Sequence, residues 1–237
     1  GSSRSHSKII NRESQLGRAT RQSRIGASRL RCRRINGRQI HDPSPQTAVS
    51  ILANVSNHAN QIVACDFFTV PTVTFRQMYI FILLHHNSRK LLHANITTNP
   101  TSAWTAQHIR QAFPYGTVPR FLLRDNDSIY GTVFQRTVES MGIKEVRTAY
   151  RSPWQNAYVE RVIGSIRREC LNHLIVLNEK GLQKVLDEYV QYYNRTRPHL
   201  SLNLNSPIPR NVEPPDNGKV VATPILGGLH HRYSRVA

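Results

Sequence analysis

The chain has 237 residues with 32 Lys and Arg against 14 Asp and Glu, a formal charge of +18 at pH 7. Its 39% hydrophobic content is enough for a packed core and excludes wholesale disorder. So large a positive excess repels itself unless a polyanion offsets it, which points to nucleic acid first and to an acidic membrane surface second.

The charge is uneven along the chain. Residues 1–60 hold 11 basic and 2 acidic residues, 61–170 hold 13 and 7, and 171–237 hold 8 and 5. The first segment is rich in Ser, Arg and Gln, includes Arg29-Leu-Arg-Cys-Arg-Arg34, and lacks helical or strand periodicity. It reads as a basic, disordered or degenerate arm, either a solvated tail or a non-specific phosphate-binding one. Because it opens Gly-Ser-Ser rather than Met, a processing product or cloning scar is expected at its start. The longest uncharged apolar run, Met78 to Leu84, is far short of the roughly 20 residues that span a bilayer. With no apolar signal region at the N-terminus either, a soluble, cytoplasmic chain without a membrane partner is expected. Cys32, Cys65 and Cys170 form neither a disulfide framework nor a zinc knuckle, and should stay reduced.

Order is expected from residue 61. Gln61 to Val70 is a β-rich run with one carboxylate, Asp66, inside it. Met78 to Leu84 reads as a buried strand, 85–90 as a turn, and Leu91 to Thr97 as its hairpin partner, giving a three-stranded antiparallel unit. Thr101 is placed to cap a helix bearing Ala106, Ile109 and Phe113, closed by Pro114 and Gly116. Phe121 to Leu123 is a short strand, Thr132 to Met141 a helix ended by Gly142, and Val146 to Ala149 another extended segment. The order β-β-β-α-β-α-β describes a mixed sheet flanked by helices, an α/β fold. After Ser152-Pro-Trp-Gln-Asn156 comes a helix with Val159, Ile163, Ile166 and Cys170 as its buried stripe. A further amphipathic helix carries Leu182, Leu186, Tyr189 and Tyr193 and stops at Arg197-Pro198; the Pro-rich remainder reads as an extended tail.

Three acids stand out. A carboxylate inside an apolar strand, as at Asp66, is costly to desolvate unless it borders a cleft or meets a cation. Asp125 ends a strand, where open α/β sheets form ligand crevices. Glu160 lies on the helix after the Pro-Trp-Gln-Asn turn, with Gly164 and Arg167 at i+4 and i+7 on its face. One task suits all three. Phosphodiester chemistry needs cations on both the attacking and the leaving oxygen, and in two-metal sites these sit about 3.5–4 Å apart. Hard carboxylate oxygens with open positions favour Mg²⁺ over zinc. The pairs His85-His86 and His230-His231 are set aside as metal ligands.

The residues resemble the DDE-type integrase catalytic core, the superfamily of bacterial insertion-sequence transposases and retroviral-type integrases with an RNase H-like fold. The resemblance runs over about residues 61–205. It rests on Cys65-Asp-Phe-Phe-Thr-Val-Pro71, Leu123-Arg-Asp-Asn-Asp-Ser-Ile-Tyr-Gly131, Arg151-Ser-Pro-Trp-Gln-Asn-Ala-Tyr-Val-Glu-Arg161 and Tyr193-Asn-Arg-Thr-Arg-Pro-His-Leu200, the last two being the most specific.

It implies an RNase H-like mixed five-stranded sheet flanked by helices. The implied organisation is a catalytic core over 61–178, a helical extension over 179–205 and a Pro-rich tail over 206–237. By the resemblance Asp66, Asp125 and Glu160 are both the catalytic acids and the ligands of two Mg²⁺ ions, with Mn²⁺ as a substitute. Thirty-four residues separate Asp125 from Glu160, and Asp127 is the rival for the second position. Arg167, flanked by Arg161 and Arg168, is implied to contact DNA. Asn126, Trp154, Gln155 and Asn156 border the acids, with substrate positioning and plain turn or packing roles both open.

The implied activity is cleavage at an element's ends, followed by attack of the freed 3′-hydroxyl on target DNA. The chain would act as a homo-oligomer on paired ends, in the bacterial cytoplasm at the nucleoid. A catalytically silent DNA-binding remnant and an RNase H-like nuclease are the alternatives. Residues 1–60 lack the helix-turn-helix that usually precedes such cores, which a frame change or a truncated reading would explain.

Overall fold

In a computed structural model of the chain, residues 58–114, 118–149 and 153–236 are described. The basic arm read over 1–60, its missing helix-turn-helix and Cys32 lie outside these residues, save for 58–60.

The central sheet has five strands in the order β3-β2-β1-β4-β5. They are β1 (Ile62–Pro71), β2 (Gln77–His85), β3 (Leu91–Thr97), β4 (Phe121–Arg124) and β5 (Lys144–Arg147). The first three pair antiparallel and β1/β4/β5 pair parallel, so the expected mixed five-stranded sheet flanked by helices is the fold observed. β2 is buried on both faces, which explains its unbroken apolar run.

Side chains alternate across β1 and build a different core on each face. Val63 and Cys65 face α1 (Ser102–Ala112) and α2 (Thr132–Ser140), with Ile109, Phe134 and Val138 between them. Thr101 caps α1 as expected, its hydroxyl accepting from the Trp104 N–H at 3.2 Å. Ile62, Ala64, Phe68 and Val70 face α3 (Ala157–Glu169) and α4 (Glu179–Arg195), with Val159, Ile166, Leu186 and Tyr189.

The buried stripe of α3 departs in one place from expectation. Val162 is buried while Ile163 is only partly so, because the stripe follows 159, 162 and 166 across the sheet. Helix α4 shares this core and is pinned to β3 by Asn194, whose amide accepts from Leu91 N–H at 2.9 Å and donates to Leu91 C=O at 2.8 Å.

The segment read as an extended Pro-rich tail is instead paired. β6 (Lys219–Ile225) and β7 (His230–Val236) form an antiparallel hairpin across Gly227 and Gly228, both at positive φ. The prolines hid the pairing, since Pro224 lies within a strand of a two-stranded sheet whose outer edges need no ladder. His230 holds the hairpin to the core, stacking on Tyr192 at 4.2 Å and bonding the Glu169 carbonyl at 2.8 Å.

Candidate active site

The strand period places the acids. Asp66 follows Ala64 on the face of β1 that α3 covers, and Asp125 follows Phe121 and Leu123 on the same face at the end of β4. In the parallel ladder Ile62 pairs with Phe121 and Ala64 with Leu123. The same register carried two residues further sets Asp66 opposite Asp125, where the ladder has ended. Just before Asp66, the Asn156 amide donates to the Cys65 carbonyl at 3.4 Å and ties β1 to the turn before α3.

The electrostatics agree with this placement. Burial pushes the Asp66 carboxyl up to about 7, the neighbouring Asp125 charge adds to it, and Glu160 contributes more weakly. The Phe67 N–H, 2.7 Å from Asp66 Oδ1, opposes the rise. Burial also holds Asp125 above the usual carboxylate range, against the Asp127 N–H that donates to it at 3.3 Å. Asp127 is exposed and spends Oδ1 on its own turn, accepting from the Ile129 N–H at 2.9 Å.

Glu160 is exposed on α3 and close enough for Asp66 to feel its charge. Among the described residues no three His, Cys, Asp or Glu side chains converge as ligands of a single ion. Nor does any described Lys, Arg or His pair with Asp66, Asp125 or Glu160; the ion pairs present involve Glu145 and Glu169.

The arginines of α3 are differently placed. Arg167 reaches back to β1, donating to the Thr69 carbonyl at 3.0 Å with its guanidinium 5.3 Å from the Phe68 ring. Arg168 folds over Gly164, where a Cβ would come within 2.9 Å of its Nη1. The small residue read four positions after Glu160 therefore makes room for an arginine. Arg161 is exposed and makes no hydrogen bond or ion pair with a described residue.

Asn126, Gln155 and Asn156 each bond the main chain. Asn126 donates to the Thr148 carbonyl at 2.9 Å, and Gln155 accepts from the Ala149 N–H at 2.6 Å. These bonds tie the β4 and β5 ends to the turn before α3, the packing role that the sequence left open. Trp154 lies in the 3-10 turn Pro153–Asn156, with its side chain outside the described residues.

Sequence reasoning passed over Arg124. It is 2% exposed, with Nη2 2.8 Å from Glu145 Oε2 and Nη1 donating to the Asp125 carbonyl at 2.8 Å. Its guanidinium lies 4.9 Å from the Tyr130 ring. Strand parity turns it to the face opposite Asp125, so it bonds the main chain of the acid rather than its carboxylate, and its charge only partly offsets the rise in the Asp125 pKa. The signal was available, since a second charge interrupts the strand Phe121–Arg124 just before Asp125.

Residues 141–207 match the integrase core domain family. The chain is 24% identical over 147 residues to an uncharacterised 39.2 kDa protein of insertion element IS476 from Xanthomonas euvesicatoria, covering 62% of this chain and 42% of that protein. It is 28% identical over 157 residues to the InsD protein of insertion element IS2E from Escherichia coli K12, which carries the name of a transposase; 63% of this chain and 72% of that one are covered. The chain thus spans less than half the length of the first of these relatives. The fold is similar to a chain in the simian T-cell lymphotropic virus intasome, with a TM-score of 0.52, 17% identity, and 73% and 66% of the two chains covered. Among the described residues no helix is long and apolar enough to cross a membrane.

Proposed function

We propose that the chain belongs to the integrase-core superfamily of insertion-element transposases and retroviral-type integrases, and that it is a divalent-metal-dependent polynucleotidyl transferase that cuts DNA at an element's ends and joins them to target DNA. The observation that carries this reading is a contrast of burial and charge: of the four described acids that are partly buried, Glu145 and Glu169 are ion-paired, whereas Asp66 and Asp125, on one sheet face, have no cationic partner among the described residues. Two partly buried acids without a partner, with the pKa of Asp66 raised to about 7 and the exposed Glu160 on the helix above them, are a setting that suits a cation from outside.

The donor set fits Mg²⁺, which takes carboxylate oxygens and keeps several waters. Asp66, Asp125 and Glu160 would hold two such ions, and Mn²⁺ would substitute. When bound, such ions stabilise charge on the attacking and leaving oxygens of an in-line displacement.

The chain's own residues do the rest. Arg124 fixes the main chain of Asp125, and Asn156 ties β1 to the turn before α3. Arg167, Arg161 and Arg168 line α3 beside Glu160, where guanidinium groups would neutralise backbone phosphates and set the register of the duplex. Assembly as a homo-oligomer on paired ends, and action at the bacterial nucleoid, belong to the same reading.

The test is incubation of the purified chain with labelled DNA bearing the element's own ends and Mg²⁺ or Mn²⁺, beside Glu160→Gln. Metal-dependent nicking and strand transfer that vanish in the variant are expected. DNA binding without nicking in either protein would overturn the enzymatic reading in favour of a silent remnant. Preferential cutting of an RNA–DNA hybrid would overturn it in favour of a nuclease.

A further inference from the structure

A second basic site lies around the helix from Glu160. At about 100° per residue, residues 158, 161, 162 and 165 share one face of α3, roughly 100–200° around the helix from Glu160. That face borders a cavity of about 200 Å³, closed by Arg89 from the β2–β3 turn and by Arg197, His199 and Ser201 beyond α4. The volume is below the roughly 300 Å³ at which pockets for drug-sized ligands begin, and suits a single small group.

Its chemistry is one-sided, because no carboxylate lines it. Arg197 is neutralised from outside the cavity by Glu169, with Nη2 2.6 Å from Oε1 and Nε 2.7 Å from Oε2. Arg161 has no partner among the described residues. Arg89 is held rather than free: its guanidinium lies 3.3 Å from the Tyr158 ring and donates to the His86 carbonyl. Arg89 has a φ of 58°, a backbone conformation disfavoured for a residue with a side chain. A preorganised guanidinium beside one without a partner among the described residues, with Ser165 and Ser201 among the lining residues, is a donor set for a tetrahedral oxyanion.

We propose that this cavity binds one phosphate group of the DNA backbone, clamped between Arg89 and Arg161 and separate from the phosphate that would react near Glu160. The proposal rests on DNA being the partner but not on catalysis. A second fixed phosphate on the flank of α3 would set the angle at which a duplex crosses the helix.

Duplex binding is measured without divalent metal across a salt series for wild type, Arg161→Ala, Arg89→Gln and Arg136→Ala. Arg136 is exposed on α2, across the sheet, and controls for net charge. Arg161→Ala and Arg89→Gln are each expected to weaken binding about tenfold at low salt and to flatten the dependence of log K on log salt by about 0.9. Arg136→Ala should do neither. Arg161 is exposed, so its variant folds, and equal melting temperatures check that.

If wild type binds DNA and all three variants share its slope, the proposal is overturned while the enzymatic reading stands. If wild type binds no DNA, both fall. Inorganic phosphate forms the other arm. Saturation at millimolar phosphate in wild type but not in Arg161→Ala, with an unchanged DNA slope, would assign the cavity to a free anion and overturn the DNA reading.

Discussion

Glu160 and Glu169 lie on one helix, nine residues and about half a turn of azimuth apart, in opposite electrostatic settings. Glu169 faces the corner where α3, α4 and the hairpin meet. Its carboxylate takes two bonds from Arg197 and one from Tyr189 at 2.9 Å. Burial pushes its pKa up, but the Arg197 hydrogen bonds and charge outweigh that and hold it below the usual range. Glu145 is likewise matched by Arg124. At the other end of α3, Asp66, Asp125 and Glu160 have no such match, and Asp66 shifts the other way. Most of the described exposed acids are unpaired as well, but Asp66 and Asp125 are partly buried without a partner, and on the proposed function they are where a bound cation would supply the charge. The matched acids mark where the fold is fastened.

The sharpest way to break this comparison is to remove one unmatched acid and, separately, the cation that matches Glu145. Asp125→Asn should lower metal-dependent strand transfer on the order of a thousandfold, the loss of several kcal/mol of charge stabilisation. Its melting temperature should fall little or rise. Arg124→Ala should do the reverse to the fold, since it strips a buried cation from Glu145 and frees the Asp125 carbonyl. A loss of about 3–5 kcal/mol in urea unfolding is expected. If Asp125→Asn unfolds the chain, Asp125 belongs with the matched acids and the distinction fails.

A smaller effect belongs to the corner. Glu169→Gln keeps the shape but removes the anion from a partly buried bidentate contact, leaving neutral hydrogen bonding in place of the ion pair. It should cost about 1–2 kcal/mol in urea unfolding and leave metal-free DNA affinity unchanged. A change in the salt slope of DNA binding there would mean that Arg197, once released, enters the cavity beside Arg161.

Much of this arrangement was legible in the chain. Strand periodicity, the Thr101 cap and the turn before α3 put the elements in place, because each is a local signal. The three acids were legible one at a time, and period-2 alternation puts Asp66 and Asp125 on one face once the β1/β4 register is known. That register is a non-local pairing across 59 positions, and nothing in either strand states it. Arg124 was hidden for a similar reason: its partner Glu145 lies on the neighbouring strand β5. The hairpin at 219–236 was missed because prolines argue against strands, yet an edge tolerates them. Arg89 gave no sequence signal, since its φ of 58° and its ring partner Tyr158 emerge only in the folded chain.

An effect of similar size tests the partly buried, unpaired acids without any catalysis. With a folded-state pKa of about 7 against an ordinary 3.8, Asp66 keeps a proton in the folded chain over a range where the unfolded chain has lost it. The metal-free protein should therefore hold this stability in full below about pH 4, and lose it as pH rises through about 7. Asp66→Asn removes the titrating group. In chelator, its melting temperature should vary less than wild type between pH 4 and 8, with a remainder from the coupled Asp125. At pH 8 it should be the more stable protein by about 2 kcal/mol, less than the full three-unit shift because the amide must itself be desolvated. Mg²⁺ added at pH 8 should raise the melting temperature of wild type, releasing the strain of like charges, and leave Asp66→Asn nearly unmoved. Equal pH slopes in the two proteins would show that Asp66 is already matched in the folded chain, and the contrast with Glu169 would collapse.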